Sequence, residues 1–202
     1  MTRRPYFLLV TALAAVPVAM VGQETTPVPA QAPAAAPANP ITVSQGMMYT
    51  MLSGMVVAAA EKMPEENYSF KPTPDVRSFG QLVGHVADSQ YFFCSSAAGE
   101  TKPSGDIEKT KTSKADLVAA LKESVAYCSK TYEGMTDAKG SEMMKLMNHD
   151  FAKLTVLSVA TAHDYEHYGN MVTYMRLKGI VPPSSEKRSG PSGEKSGGSG
   201  QK

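Results

Sequence analysis

The sequence predicts an all-α protein built on a four-helix bundle, and three observations carry that expectation. Three places set a hydroxyl residue three positions before a side chain able to return a hydrogen bond: Thr42-Val43-Ser44-Gln45, Ser78-Phe79-Gly80-Gln81 and Ser113-Lys114-Ala115-Asp116. Such capping boxes and their relatives mark helix starts. Between residues 41 and 183 the apolar residues recur at helical spacing. No run there sustains period-two alternation, and no Asn-Gly pair signals a hairpin.

The ends of the chain read differently. Met1-Thr2-Arg3-Arg4 is a basic head, followed by an uncharged, mostly apolar run from Pro5 to Val21 and small residues near Gly22. Residues 1–22 therefore read as a secretory signal peptide, short for a membrane span. An uncleaved N-terminal anchor is the rival reading. No cysteine follows the run, so a lipoprotein is not indicated. Residues 23–40 form a Pro/Ala-rich linker, an extended spacer that cannot build a core. Residues 184–202 lack large apolar side chains and read as a disordered tail. The folded domain is thus 41–183, enough for one core. A net charge of +1 offers no field that argues for nucleic acid.

The first helix starts at Thr42, its apolar pattern runs through Met48, Met51, Leu52, Met55 and Val56, and it must stop by Pro64. The second runs from Ser78 through Leu82, Val83, Val86 and Phe93 to Gly99. The third runs from Ser113 through Leu117, Leu121, Val125 and Tyr132 to Gly134. The fourth starts near Asp150, with Asn148 or Asp150 as N-cap and His149 in a loop. It carries Leu154, Leu157, Met171, Val172 and Met175, and closes at Lys178-Gly179 before Pro182. The first two connections are long for simple antiparallel neighbours, which permits a topology other than up-down-up-down.

The stretch Ala162-His163-Asp164-Tyr165-Glu166-His167 matches the inverted zinc-protease pattern H-x-x-E-H. On a helix, His163 and His167 project from one face a turn apart, in line with Asn170 and Tyr174. His85 sits on the shoulder of the apolar stripe of the second helix, near Gln81 and Ser89. A bundle builds metal sites from inward side chains of different helices, so three imidazoles could surround one divalent ion and leave open positions. The bland alternative is a solvated pair and a core histidine satisfied by a hydrogen bond. A protease needs a further downstream ligand, and only Glu186 and Glu194 of the tail follow, so that reading falls.

Two segments, "AAEKMPEENYSFKPTPDVRSFGQLVGHVADSQYFFC" and "HDYEHYGNMVTYMRLKGIVPP", resemble the DinB superfamily (DinB/YfiT-like) over nearly the whole folded domain. The resemblance implies a four-helix bundle of variant connectivity and a divalent metal held by His85, His163 and His167. It also implies a metal-dependent enzyme, either a hydrolase or a transferase using a low-molecular-weight thiol. Tyr168 and Asn170 depart from the arginine and glutamine that many relatives carry there.

The function expected is therefore that of an exported, periplasmic or secreted, metal-dependent enzyme acting on a small molecule. Zinc or nickel suits neutral nitrogen ligands. Gln81, Ser89, Asn170 and Tyr174, with Asp88, are candidates for the substrate pocket. Expected partners are a small-molecule substrate and a second copy in a homodimer, with no nucleic acid and no stable membrane insertion. The competing function is metal handling, with copper(I) held by Met47, Met48, Met51 and Met55, or by Met143, Met144 and Met147 near His149. Against it, Met at helical spacing usually fills core gaps. Cys94 and Cys128 lie well apart if a compact loop joins antiparallel helices, and level if a long crossover intervenes.

Overall fold

A computed structural model of the protein describes residues 38–103 and 105–186. The signal-peptide reading, most of the linker and the tail from 187 fall outside the described residues. Four long helices form the body: α1 (Pro40–Lys62), α2 (Phe79–Ala98), α4 (Lys114–Glu133) and α6 (Lys153–Leu177). Between them lie two single-turn helices, α3 (Ile107–Thr110) and α5 (Asp137–Gly140), and a hairpin of β1 (Met143–Leu146) and β2 (His149–Ala152).

Local chemistry explains most boundaries. Ser78 makes the expected reciprocal box: its hydroxyl accepts from the Gln81 N–H at 3.2 Å, and its own N–H donates to Gln81 Oε1 at 2.8 Å. Helix α2 ends on Gly99 at φ +74, where a side chain would be strained. Ser113 caps α4 by accepting from the Asp116 N–H at 3.1 Å. The Thr42 box is a correction. Helix α1 begins earlier, at Pro40, and its cap comes from Asp137, whose carboxylate accepts from the Ile41 N–H (3.2 Å), the Thr42 N–H (2.8 Å) and the Thr42 hydroxyl (2.7 Å). Burial pushes the Asp137 carboxyl up, but these hydrogen bonds outweigh it and hold the group below its usual range.

The hairpin is a second correction. The strands pair antiparallel with Leu146 opposite His149, leaving Met147 and Asn148 as a two-residue turn at φ 49 and 66. His149 is thus a strand residue, and α6 is capped by Ala152 without a side-chain bond, not by Asn148 or Asp150. Alternate strand residues face opposite ways, so Met144 turns inward while Met143 and Met147 are exposed. The strand does not gather those three thioethers on one face.

Contacts fix the bundle topology. Helices α1 and α2 each pack on α4 and α6. Along α2 and α4 the neighbours rise together: Gly80 and Gly84 meet Leu117, Tyr91 faces Tyr127, and Cys94 is bonded to Cys128. The two helices therefore run parallel. Helix α6 runs against α2, since Tyr174 reaches Arg77 while Asp164 meets Gln90. Helix α1 runs against α4, with Gly46 beside Tyr132 and the Lys114 ammonium on the Glu61 carbonyl. The order is up-down-down-up, and the segment after Gly99 is the long crossover. That crossover brings the two cysteines level, with Cα atoms 5.3 Å apart.

Apolar side chains from all four helices fill the interior, led by Tyr49, Leu52, Phe79, Leu121, Leu157 and Met171. By length and composition alone α1 could cross a membrane; here its inner face is part of that core, while Met47, Met48 and Met51 face outward. A buried polar thread crosses the middle of the bundle. The Tyr49 hydroxyl donates to Gln90 Oε1 (3.0 Å), Gln90 Nε2 donates to Asp164 (2.6 Å), and Tyr49 stacks on Tyr132 at 4.6 Å.

Candidate metal centre

His85 projects from the second turn of α2, and His163 and His167 from successive turns of the antiparallel α6. The three Nε2 atoms meet between the helices. Nε2 of His163 lies 3.2 Å from that of His85 and 3.0 Å from that of His167. Ligating atoms of all three fall within 4.8 Å of one another. Zinc–nitrogen bonds of about 2.0–2.1 Å give a tetrahedral edge of about 3.3 Å, so this donor set fits one such ion.

Electrostatics keep the imidazoles neutral. Burial lowers all three; His85 presses on His163, which falls to about 4, and His163 presses on His167, which falls to about 3. At His85 burial and the Arg77 charge outweigh the opposing pull of Glu108. Neutral imidazole is the form that binds metal.

His167 lines an open cleft of about 570 Å³, whose wall also includes Lys71, Asp75, Arg77, Gln81, Glu108 and Glu166. Three of the sequence candidates line it: Gln81, Asn170 and Tyr174. Each has a structural tie as well. Gln81 serves the Ser78 cap, the Tyr174 hydroxyl donates to the Arg77 carbonyl at 2.7 Å, and the Asn170 amide sits 3.4 Å from Nδ1 of His167. Ser89 is half-buried on α2 and does not line the cleft. Asp88 is engaged elsewhere, where its carboxylate accepts from the N–H groups of Ile107 (3.1 Å) and Glu108 (3.0 Å). Glu166 is exposed at the cleft, off the line of the two histidines.

Sequence reasoning missed Glu108. Its Oε1 takes the Arg77 Nε–H at 2.9 Å, and its Oε2 lies 3.2 Å from Nδ1 of His85. Nothing in the charged connection between α2 and α4 marks one carboxylate out; only the path of the crossover does.

The sequence model of the DinB superfamily matches residues 49–171, a stretch that spans His85, His163 and His167. The chain belongs to the DinB superfamily. It is similar to YjoA of Bacillus subtilis (strain 168), 29% identical over 126 residues that cover 59% of this chain and 79% of that protein. Solved DinB-like structures share the fold. One from Bacillus cereus ATCC 10987 has a TM-score of 0.64 at 14% identity, covering 70% of this chain and 95% of that one. The crystal structure of YjoA has a TM-score of 0.59 at 22% identity, over 72% of this chain and 99% of that one. A mycothiol-dependent maleylpyruvate isomerase aligns at a TM-score of 0.54 and 12% identity, over 64% of this DinB chain and 60% of the isomerase. At these identities the structural likeness is one of fold.

Proposed function

We propose that His85, His163 and His167 hold a divalent metal, zinc or nickel, and that the protein is an exported metal-dependent enzyme acting on a small molecule. One observation carries this reading: three neutral imidazole nitrogens converge on one point, and one of the three, His167, lines an open cleft. A bound ion of this kind supplies Lewis-acid chemistry, activating water or a substrate thiol. The surrounding residues do the rest. The Asn170 amide nitrogen lies 3.4 Å from Nδ1 of His167, and a flip of that amide would present its oxygen to accept the ring N–H once Nε2 binds the ion. The cleft sets Lys71 and Arg77 among Asp75, Glu108 and Glu166, a mixed-charge lining that suits a polar substrate.

Two reaction types remain in play, hydrolysis and thiol-dependent transfer. The fold shared with a mycothiol-dependent isomerase favours the second. The bonded Cys94–Cys128 pair supports export to an oxidising compartment, where free thiols are scarce, and so favours the first. For the competing role, metal handling without turnover, Met47, Met48 and Met51 are exposed along α1, whereas the hairpin turns Met144 away from Met143 and Met147.

The test is metal analysis of the purified protein, with zinc and nickel titrations of the wild type and of His163→Ala/His167→Ala. One ion per chain in the wild type and none in the double variant, with helical circular dichroism retained, is the expected result. Full occupancy in the double variant overturns the site. Turnover of ester or amide surrogates by the zinc-loaded protein, with and without added thiol, then separates the two reaction types. Export is checked by fusing residues 1–22 to a reporter that is active only outside the cytoplasm.

A further inference from the structure

The crossover between α2 and α4 reaches the histidine cluster at Glu108, and α2 itself holds it there. Its one helical turn, α3, lies flat on α2. Gly84 permits this approach: a Cβ there would stand 2.6 Å from the Glu108 Cα and 2.9 Å from its nitrogen. Asp88, one turn further along α2, takes the two N–H groups at the start of α3. His85 lies between Gly84 and Asp88 in sequence, so the same stretch of α2 that carries the histidine also docks the turn that faces it.

Glu108 is the product of this docking. Its carboxylate meets two donors from different sides, Arg77 Nε on Oε1 and His85 Nδ1 on Oε2. Only a carboxylate offers an acceptor oxygen to each at once. Arg77 in turn is anchored through its carbonyl, which accepts from the Tyr174 hydroxyl of α6. An acceptor at Nδ1 keeps the proton of neutral imidazole there, and leaves the lone pair on Nε2 directed at His163.

We propose that Glu108 is a positioning residue for His85, and that docking of the crossover on α2 sets the metal affinity of the centre. The inference rests on the reading that the three histidines hold a metal. Glu108 itself stands behind the imidazole and is not one of the ligands. Loss of such an outer partner typically weakens metal binding about 10–100-fold.

The experiment is a zinc titration against a chromophoric competitor chelator, on the full chain, at neutral pH. Glu108→Ala is expected to weaken zinc about 10–100-fold. Glu108→Gln, which replaces one of the two acceptor oxygens with an NH2 donor, should fall between it and the wild type. Gly84→Ala displaces the turn and should weaken zinc in the same direction. Because the tightest contacts of a Cβ at Gly84 are with Glu108, adding Gly84→Ala to Glu108→Ala should cost less affinity than Gly84→Ala costs alone. Glu108 is partly exposed, so Glu108→Ala should keep its helical circular dichroism and melting temperature, which excludes a folding defect. Zinc bound stoichiometrically and within about twofold of wild-type affinity by Glu108→Ala overturns this inference alone. Absence of stoichiometric zinc in the wild type overturns it together with the metal reading.

Discussion

Gln90 donates to Asp164 at 2.6 Å in the floor beneath the histidine cluster, where Asp164 is 1% exposed. That single hydrogen bond pulls the carboxyl down but does not offset burial, which pushes it up to about 7 from 3.8. A group raised in the folded state contributes stability fully below its unfolded value and loses it as pH rises through the folded one. The chain should therefore lose stability between about pH 4 and pH 7 from this group, on the order of 4 kcal/mol at most. Asp164→Asn keeps an acceptor for Gln90 and removes the charge. Urea unfolding from pH 4 to 8 should show the variant more stable than wild type at pH 8 and level with it at pH 4.

The histidines impose the opposite slope. His163 and His167 titrate near 4 and 3 in the fold and near 6.5 when unfolded, so the unfolded chain takes up protons first. Metal-free protein should lose stability as pH falls from about 6.5 toward 4. His163→Ala/His167→Ala should keep only the smaller part of that slope that comes from His85, together with the Asp164 one. Parallel pH series on both variants, with chelator present, check the separation.

The disulfide should matter to the fold as a whole. Cys94 and Cys128 are 34 residues apart and join two core helices, so loop entropy predicts a loss of about 2–4 kcal/mol for Cys94→Ala/Cys128→Ala. Thiol counting should find no free thiol in oxidised, denatured wild type and two after reduction. Two free thiols without reductant would contradict the pairing.

Tyr132 is a smaller lever. Its buried hydroxyl donates to the Leu157 carbonyl at 2.6 Å and shares a bond with Thr161 at 2.8 Å. Tyr132→Phe keeps the stack on Tyr49 but removes both bonds, and should cost about 1–2 kcal/mol in chemical unfolding without altering zinc stoichiometry.

The readable parts of this fold are those whose causes lie within a turn or two. Ser78 and Ser113 cap their own helices, Gly99 ends one, and the spacing of His163 and His167 puts them on one face. Misread elements have distant causes. Thr42 resembles a cap in sequence, but the true one, Asp137, stands 95 residues away. The hairpin is hard to see because its strands are four residues long and its left-handed turn uses Met147-Asn148 in place of the usual Asn-Gly. The candidate site divides the same way: His85 can be placed on its helix, whereas Asp88, a pocket candidate by position, is an anchor for α3. Glu108 lies beyond reach because its role depends on where a crossover lands.

The parallel run of α2 and α4 gives the disulfide one more consequence. Cys94 and Cys128 close a covalent ring that contains the whole crossover, Glu108 included. A protease that cut between Glu100 and Gly105 would leave two fragments still joined through sulfur. They should migrate as one species until reduced, and the nicked protein should keep Glu108 tethered on the His85 side, since Gly84 and Asp88 hold it from beyond the cut.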